Sequence, residues 1–239
     1  MARMQLLAID TSTEYCSAAL WLAGEVRTRR IQAGQMHSSL LLPMVDALLR
    51  EAGLSLRQLD GIAYGAGPGS FTGLRIACAV TQGLALGVDL PVVGVSTLES
   101  IAQQTEAERV LAILDARMAE VYWAAYERAD SGWRCVLEPV LSAPESVFVP
   151  DDREWTGAGN GFIALEAVLL PRLQSQLTRI QSDLMPDAAA IAALAAPVLA
   201  RGGGTDAALA APIYLRDKVA MTIDERRLKA NERRLRELA

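Results

Sequence analysis

The stretch GAGPGSFTGLR, residues 65–75, decides the fold of this chain because it connects a short apolar run to a long apolar helix. Residues 61–64 are apolar and indicate a buried strand that leads into the glycines. Ser70 then stands where its side-chain oxygen can accept a backbone N–H from the first turn of a helix beginning at Phe71. The sequence therefore predicts a strand, a tight turn and a helix that continues to Val88.

The glycine-rich turn in this stretch has two interpretations. Glycines before a helix leave N–H groups exposed at the positive end of the helix dipole, and such an arrangement binds phosphate. Glycines are also what a tight turn needs for its backbone angles and close packing. Neither G-x-x-x-x-G-K-[ST] nor a G-x-G-x-x-G beginning at Gly65 or Gly67 is present, so the spacing favours the structural turn.

Two predicted helices are too apolar to be ordinary surface helices. Residues 72–88 carry a single charge, Arg75, and residues 37–52 have only a narrow polar stripe. A helix that is apolar nearly all round must be covered on more than one side. We therefore expect a second surface, beyond the chain's own sheet, to cover both helices.

The rest of the pattern indicates an α/β chain with an internal repeat. Three consecutive strands come first, the last two joined by a hairpin turn at Ala23-Gly24, and a βαβ unit follows. The residues LLAID before Glu14 resemble LAILD before Glu120, at an offset of about 105 residues. The predicted strands are residues 5–9, 15–22, 26–31, 61–64, 91–95, 110–114, 120–127 and 133–137.

The last third of the chain predicts helices and a charged end. Residues 162–170 form a predicted helix that stops near Pro171, and residues 188–200 form another. Residues 222–239 predict a mixed-charge helix. Its charges indicate either a solvated face with i,i+4 pairs, which the pattern favours, or a tail that contacts RNA.

Composition limits the classes of function. The chain has 239 residues, 51% hydrophobic and 21% charged, with a net charge of −5, which is typical of a globular protein without an RNA-binding surface of its own. Its three widely spaced cysteines suit a reducing compartment. No signal-peptide pattern and no run of roughly 18 apolar residues is present, so we expect a cytoplasmic protein with no membrane partner.

The lone histidine, His37, excludes more chemistry than any motif supports. One histidine cannot supply the H-x-x-x-H ligands of a zinc peptidase, and no G-x-S-x-G sequence surrounds a serine. We therefore assign no catalytic residue and no metal site.

Asp10 and Asp115 end the corresponding strands of the two halves. Actin-like and sugar-kinase-like folds have carboxylates at these places that coordinate magnesium and position phosphate groups. Thr11, Ser12 and Gly69 offer hydroxyl and N–H groups nearby, but the residues that follow Asp115 are bulky. We therefore expect a degenerate phosphate site formed by these five residues. In the alternative interpretation, Asp10 accepts N–H bonds and caps its own turn.

Five features together carry a family resemblance: AIDTST (8–13), the helix starting at His37, GPGSFTGLR (67–75), DARMAEVY (115–122) and PIYLRDKVA (212–220). They resemble the TsaB (YeaZ) family of bacterial tRNA threonylcarbamoyladenosine biosynthesis proteins, which are catalytically degenerate paralogues of TsaD. The resemblance extends to about Ala220 and does not include the charged end.

This resemblance implies a two-lobe actin-like α/β fold of the sugar kinase and Hsp70 superfamily (ASKHA), with a duplicated βββαβα core. The N-terminal lobe would comprise residues 1–104, completed by residues 213–239. The C-terminal lobe would comprise residues 105–212.

The resemblance also implies a function as a non-catalytic scaffold that binds and activates TsaD. With TsaE, the complex transfers a threonylcarbamoyl group to N6 of adenosine 37 in tRNA. The chain would form a homodimer when alone and would contact tRNA through the complex. ATP or ADP with magnesium would be bound in the complex mainly by the partner proteins. The implied contact residues lie on the two apolar helices: Leu41, Val45, Leu48, Leu49, Leu74, Arg75, Ala77, Cys78 and Thr81.

A rival hypothesis comes from a different class of function. The chain would then be an independent ATP-binding kinase or carbamoyltransferase of the same superfamily, using Asp10 and the glycine-rich turns. Binding and turnover of Mg-ATP by the chain alone distinguish this hypothesis from the scaffold.

Overall fold

The computed structural model describes residues 4–130 and 132–216, which contain two five-stranded sheets flanked by helices. The N-terminal sheet has the strand order β3-β2-β1-β4-β5. Its strands are β1 (Gln5–Asp10), β2 (Tyr15–Leu22), β3 (Glu25–Gln32), β4 (Gly61–Gly67) and β5 (Val92–Ser96). The helices of this half are α1 (His37–Ala52), α2 (Phe71–Leu86) and α3 (Thr97–Gln103).

The C-terminal sheet repeats this arrangement in the order β8-β7-β6-β9-β10. Its strands are β6 (Arg109–Asp115), β7 (Val121–Ala129), β8 (Gly132–Ser142), β9 (Trp155–Ala158) and β10 (Leu177–Gln181). The helices that follow are α4 (Gly161–Ala164), α5 (Glu166–Leu173) and α6 (Ala188–Ala200). The two-lobe α/β class and the duplication predicted from the sequence are therefore confirmed. The two halves differ after their third strand. A short 3₁₀ turn, Pro144–Ser146, stands in the second half where α1 stands in the first.

The strand, turn and helix predicted around residues 61–86 form as expected. Strand β4 is buried throughout and pairs in parallel with β1 and β5. The hydroxyl of Ser70 accepts the backbone N–H of Gly73 at 3.3 Å and so caps α2. The start of α2 is thus capped by a residue adjacent to it in sequence, as predicted.

The predicted helix at residues 162–170 is interrupted in the structure. Leu165 has φ −128° and ψ 38°, outside the helical region, so α4 ends before it and α5 begins after it. Pro171 lies inside α5 and does not end it.

Strand β3 forms one edge of the N-terminal sheet, with no further strand beside it among the described residues. All of its residues except Val26 are exposed, and three of them are arginines. Charged side chains on an edge strand discourage another strand from pairing with it.

Helix α6 packs on the N-terminal sheet, although it comes late in the chain. Along β1, Leu7 and Ile9 face α1 and α2, whereas Leu6 and Ala8 face α6, as the two-residue period of a strand requires. The expected division had assigned α6 to the C-terminal lobe, with residues 105–212. The structure differs there because the second face of the N-terminal sheet is apolar and α6 is the helix that buries it.

Residues 205–216, called the return segment below, also run back onto the N-terminal half. The N–H of Ile213 donates to the carbonyl of Ala66 at 2.7 Å. The hydroxyl of Tyr64 donates to the carbonyl of Ala211 at 3.1 Å and accepts the N–H of the same residue at 3.0 Å. The charged helix predicted at residues 222–239 lies outside the described residues.

Within residues 4–130 and 132–216, none of the helices has both the length and the apolar character that a bilayer crossing needs.

Candidate functional site

A cleft of about 720 Å³ separates the two halves. It opens between the β1–β2 turn, the start of α2, the β6–β7 turn and the return segment. Of the five residues expected to form a degenerate phosphate site, Ser12, Gly69 and Asp115 line the cleft, whereas Asp10 and Thr11 do not.

The Asp10 carboxylate is completely buried and is not part of the cleft lining. Its Oδ2 accepts the backbone N–H of Ser12 at 3.2 Å and the Ser12 hydroxyl at 3.0 Å, which is a turn cap. Its Oδ1 points toward β4, because a Cβ placed on Gly65 would lie 2.0 Å from it. This oxygen has no partner among the described residues, and burial raises the Asp10 pKa to about 7.

The glycine-rich turn packs directly against the β1–β2 turn. The Thr11 hydroxyl donates to the Gly73 carbonyl at 2.6 Å, and the Ser70 N–H donates to the Ser12 carbonyl at 2.7 Å. A Cβ at Gly73 would lie 1.8 Å from the Thr11 carbonyl oxygen. The backbones therefore meet at a distance that only glycine permits, which is the structural role that the spacing favoured.

The second candidate phosphate position is occupied by the chain itself. Asp115 accepts the backbone N–H of Arg117 at 2.8 Å and pairs with its guanidinium at 3.0 Å. Arg117, Met118 and Ala119 have φ values of 62°, 57° and 60°, a left-handed conformation that is uncommon for residues with a Cβ. The turn is thus closed by its own hydrogen bonds, and it places the long side chains of Arg117 and Met118 in the cleft lining.

These residues do not fit a magnesium-bound triphosphate. Arg117 pairs with Asp115, and Arg216, the other arginine in the described cleft lining, pairs with Glu120 at 2.7 Å, so both already have a carboxylate partner within the chain. His37 lies at the cleft with its Nε2 hydrogen-bonded to the carbonyl of Thr13 at 2.8 Å. Across the described residues, no group of three histidine, cysteine or acidic side chains is placed to hold a metal ion.

The residues expected to contact a partner lie mostly in the chain's own core. Only Arg75 is exposed. The others are at most 9% exposed: Leu41, Val45, Leu48, Leu49, Leu74, Ala77, Cys78 and Thr81. Because these eight side chains are buried, they cannot form a contact surface, and the expectation is wrong for them. The sequence misled because α2 is apolar on both faces, so hydropathy could not tell the inner face from the outer.

The outer face of α2 is a narrow exposed row, called the α2 stripe below. It consists of Thr72, Arg75, Ala79, Gly83 and Leu86, spaced three or four residues apart. A Cβ on Gly83 would meet nothing within 4 Å, so the helix backbone itself is accessible there. On α1, which packs beside α2, Leu42 is 47% exposed. Residue size in the sequence did not mark this face either, because the buried face of α2, with Gly73, Ala77, Cys78, Thr81 and Ala85 beside Leu74, is also made mostly of small residues.

Arg75 is held by two aromatic rings at the N-terminal end of the α2 stripe. Its guanidinium carbon lies 3.7 Å above the centre of the Phe71 ring, and its Nε donates to the Tyr214 hydroxyl at 2.9 Å. The Phe71 and Tyr214 ring centres are 5.3 Å apart. Residues far apart in sequence thus meet at one exposed point.

Sequence matches to known proteins cover most of the chain. The family model described as TsaD, tRNA N6-adenosine threonylcarbamoyltransferase, matches residues 31–223. The tRNA threonylcarbamoyladenosine biosynthesis protein TsaB of Escherichia coli K12 is 41% identical over 225 residues, covering 91% of this chain and 96% of that protein. The TsaB of Haemophilus influenzae is 43% identical over 157 residues, covering 61% of this chain and 66% of that protein.

A solved structure agrees with these sequence relatives. YeaZ from Pseudomonas aeruginosa superimposes on this chain with a TM-score of 0.82 at 42% sequence identity. The superposition covers 89% of this chain and 100% of the YeaZ chain. The family resemblance first drawn from the five sequence motifs is thereby confirmed, together with the actin-like two-lobe fold. The chain belongs to the TsaB (YeaZ) family.

Proposed function

We propose that this chain is the non-catalytic subunit of a bacterial complex that makes N6-threonylcarbamoyladenosine in tRNA. In this proposal it binds and activates a TsaD, and TsaE joins the two. The observation that carries the proposal is the 41% sequence identity to the E. coli protein named TsaB, in an alignment that covers 96% of that protein. The cytoplasm, where tRNA is modified, is the location that we propose.

The geometry of the cleft supports the proposal that the catalytic residues belong to TsaD and not to this chain. The Asp10 carboxylate is buried outside the cleft lining, and the two arginines of the described cleft lining are paired with carboxylates. A nucleotide with magnesium would then be held mainly by residues of TsaD and TsaE. The net charge of −5 also supports a contact with tRNA that is made through the complex.

The α2 stripe supports a helix-to-helix contact with TsaD. Small residues at Ala79 and Gly83 let a partner helix approach the α2 backbone closely, and Leu86 and Leu42 add exposed apolar surface. Packing of α1 and α2 against the corresponding pair of TsaD would give a four-helix contact. The same face would support a two-fold homodimer when TsaD is absent.

The experiment that tests this proposal is light scattering on a sizing column, with the chain alone, TsaD alone and the mixture. We expect a heterodimer to form, and we expect TsaD with TsaE, supplied with threonylcarbamoyl-adenylate as the donor, to modify tRNA only when the chain is added. The chain alone should turn over no Mg-ATP. Failure to form the heterodimer, or turnover by the chain alone, would contradict the proposal.

A matched pair of variants locates the contact. Ala79→Glu places a charge on the α2 stripe, whereas Ala167→Glu places the same charge on an exposed position of α5 in the other half. We expect the first variant to lose the heterodimer while staying folded, and the second to retain it. Equal binding by both variants would move the contact away from the α2 stripe.

A further inference from the structure

We propose that Arg75 is a preformed fork for a carboxylate of the protein that docks on the α2 stripe, with Phe71 and Tyr214 as its positioning residues. This inference rests on the proposed function, because the docking protein is the TsaD partner. It adds the chemistry of the contact and the residues that prepare this chain for it.

The guanidinium is already fixed in one place before any partner arrives. It stacks on Phe71 at 3.7 Å, and its Nε donates to the Tyr214 hydroxyl at 2.9 Å. Tyr214 is in turn positioned by its neighbour Ile213, whose N–H donates to Ala66 at 2.7 Å. An arginine that must be ordered on binding loses side-chain entropy, so an arginine that is ordered beforehand binds more tightly.

The remaining nitrogens of Arg75 suit a carboxylate. Nη1 and Nη2 have no hydrogen-bond or ion-pair partner among residues 4–130 and 132–216, since the Tyr214 contact uses only Nε. Two parallel N–H groups of a guanidinium match the two oxygens of a carboxylate. The first turn of α2, a helix of 16 residues, adds the positive end of its dipole to the same position.

The surroundings favour a protein carboxylate over RNA phosphate. Past Arg75, the α2 stripe continues with Ala79, Gly83 and Leu86, which are uncharged and small or apolar. An RNA surface repeats its negative charge and calls for several cations along it, whereas a protein helix calls for one ion pair at the edge of an apolar contact. We therefore infer an aspartate or glutamate of TsaD as the group that Arg75 binds.

The test is titration calorimetry of the full chain against TsaD from the same organism, at about 0.05 M and about 0.5 M sodium chloride. Arg75→Gln is expected to weaken binding by about tenfold or more and to remove most of its salt dependence. Arg75→Lys keeps the charge without the fork and should recover only part of the affinity. Thermal unfolding of each variant checks that it is folded.

The positioning residues need a readout that a purely structural role would not move. Tyr214→Phe removes one hydroxyl, and Phe71→Leu removes the stacking ring. Each is expected to weaken binding several-fold in the wild-type chain and to have no further effect on Arg75→Gln. If either still weakens binding in the Arg75→Gln background, its role as a positioning residue is overturned.

The outcomes separate this inference from the function on which it rests. Wild-type affinity and salt dependence in Arg75→Gln would overturn the fork alone. Loss of tRNA binding by Arg75→Gln with unchanged TsaD binding would overturn the carboxylate in favour of phosphate. No binding of TsaD by the wild-type chain would overturn the proposed function and the fork together.

Discussion

Arg216 and Glu120 form an ion pair at 2.7 Å that joins the return segment to the β6–β7 turn of the other half. The same guanidinium donates to the carbonyl of Ala116 at 3.0 Å. The end of the described chain thus connects the N-terminal half, on which the return segment lies, to the turn that closes the cleft.

This connection gives a prediction about stability. Arg216→Gln should lower the free energy of unfolding by about 1 to 3 kcal/mol, because a mostly buried carboxylate and a carbonyl lose their charged donor. Arg57→Gln, which changes an exposed arginine in the same way, should have almost no effect. Chemical denaturation measures both, and equal midpoints would show that the connection contributes nothing.

Asp10 gives a prediction about pH. Its pKa is raised to about 7 by burial first of all, with Asp187 also raising it and Ser12 and Arg30 lowering it. The folded state therefore favours the protonated form. This stability is fully present below the ordinary carboxyl pKa, near 3.8, and is lost as the pH rises to about 7.

Asp10→Asn should remove most of this pH dependence. At pH 8 the variant should be more stable than the wild type by about 1 to 3 kcal/mol, because it avoids the ionised carboxylate but leaves one buried N–H₂ group without a partner. Urea unfolding between pH 4 and pH 8 tests it. The same slope with pH in both proteins would assign the dependence to other groups.

The two faces of α2 predict opposite results for the same substitution. Ala77→Asp puts a charge in the core, where the alanine is 0% exposed, and should cost about 4 kcal/mol or more. Ala79→Asp, two residues along on the α2 stripe, should leave the fold nearly as stable and weaken partner binding. A charge at Val45 should likewise unfold the chain, because this residue is buried beneath α1. Circular dichroism melting measures all three, and similar melts for Ala77→Asp and Ala79→Asp would contradict the assigned faces.

Replacing either of two glycines of α2 with alanine is expected to change the free energy of unfolding in opposite directions. Gly73→Ala should destabilise the chain by about 1 to 3 kcal/mol, because the new Cβ would overlap the Thr11 carbonyl. Gly83→Ala should stabilise it by about 0.5 to 1 kcal/mol, because alanine favours helix and its Cβ meets open space. Denaturant unfolding gives both values, and destabilisation by Gly83→Ala would show that its exposed surface is not open.

Local features of the fold were predictable because they depend on adjacent residues. The Ser70 cap, the hairpin turn at Ala23-Gly24 and the parallel strands around α2 follow from turn chemistry and hydrophobic period alone. The repeat was visible because both halves begin with a buried strand that ends in an aspartate. None of these predictions needed to know which sheet a later segment would join.

Long-range features were beyond this reasoning. Whether α6 covers the first sheet or the second depends on which apolar face remains open after the rest has packed. The direction of the Asp10 carboxylate depends on the absence of a side chain at Gly65, on another strand. The meeting of Tyr214 with Arg75 joins residues 139 positions apart, and hydropathy carries no signal for it.

The exposed arginines of β3 have a consequence for assembly. Arg27, Arg29 and Arg30 lie along this edge of the described sheet, each paired with a carboxylate of its own chain, and a second copy laid edge to edge would have to accommodate these charged side chains along the new strand pair. Growth of the N-terminal sheet into chains of molecules is therefore opposed at this edge. We expect the protein to stay free of polymers joined through β3 even at high concentration.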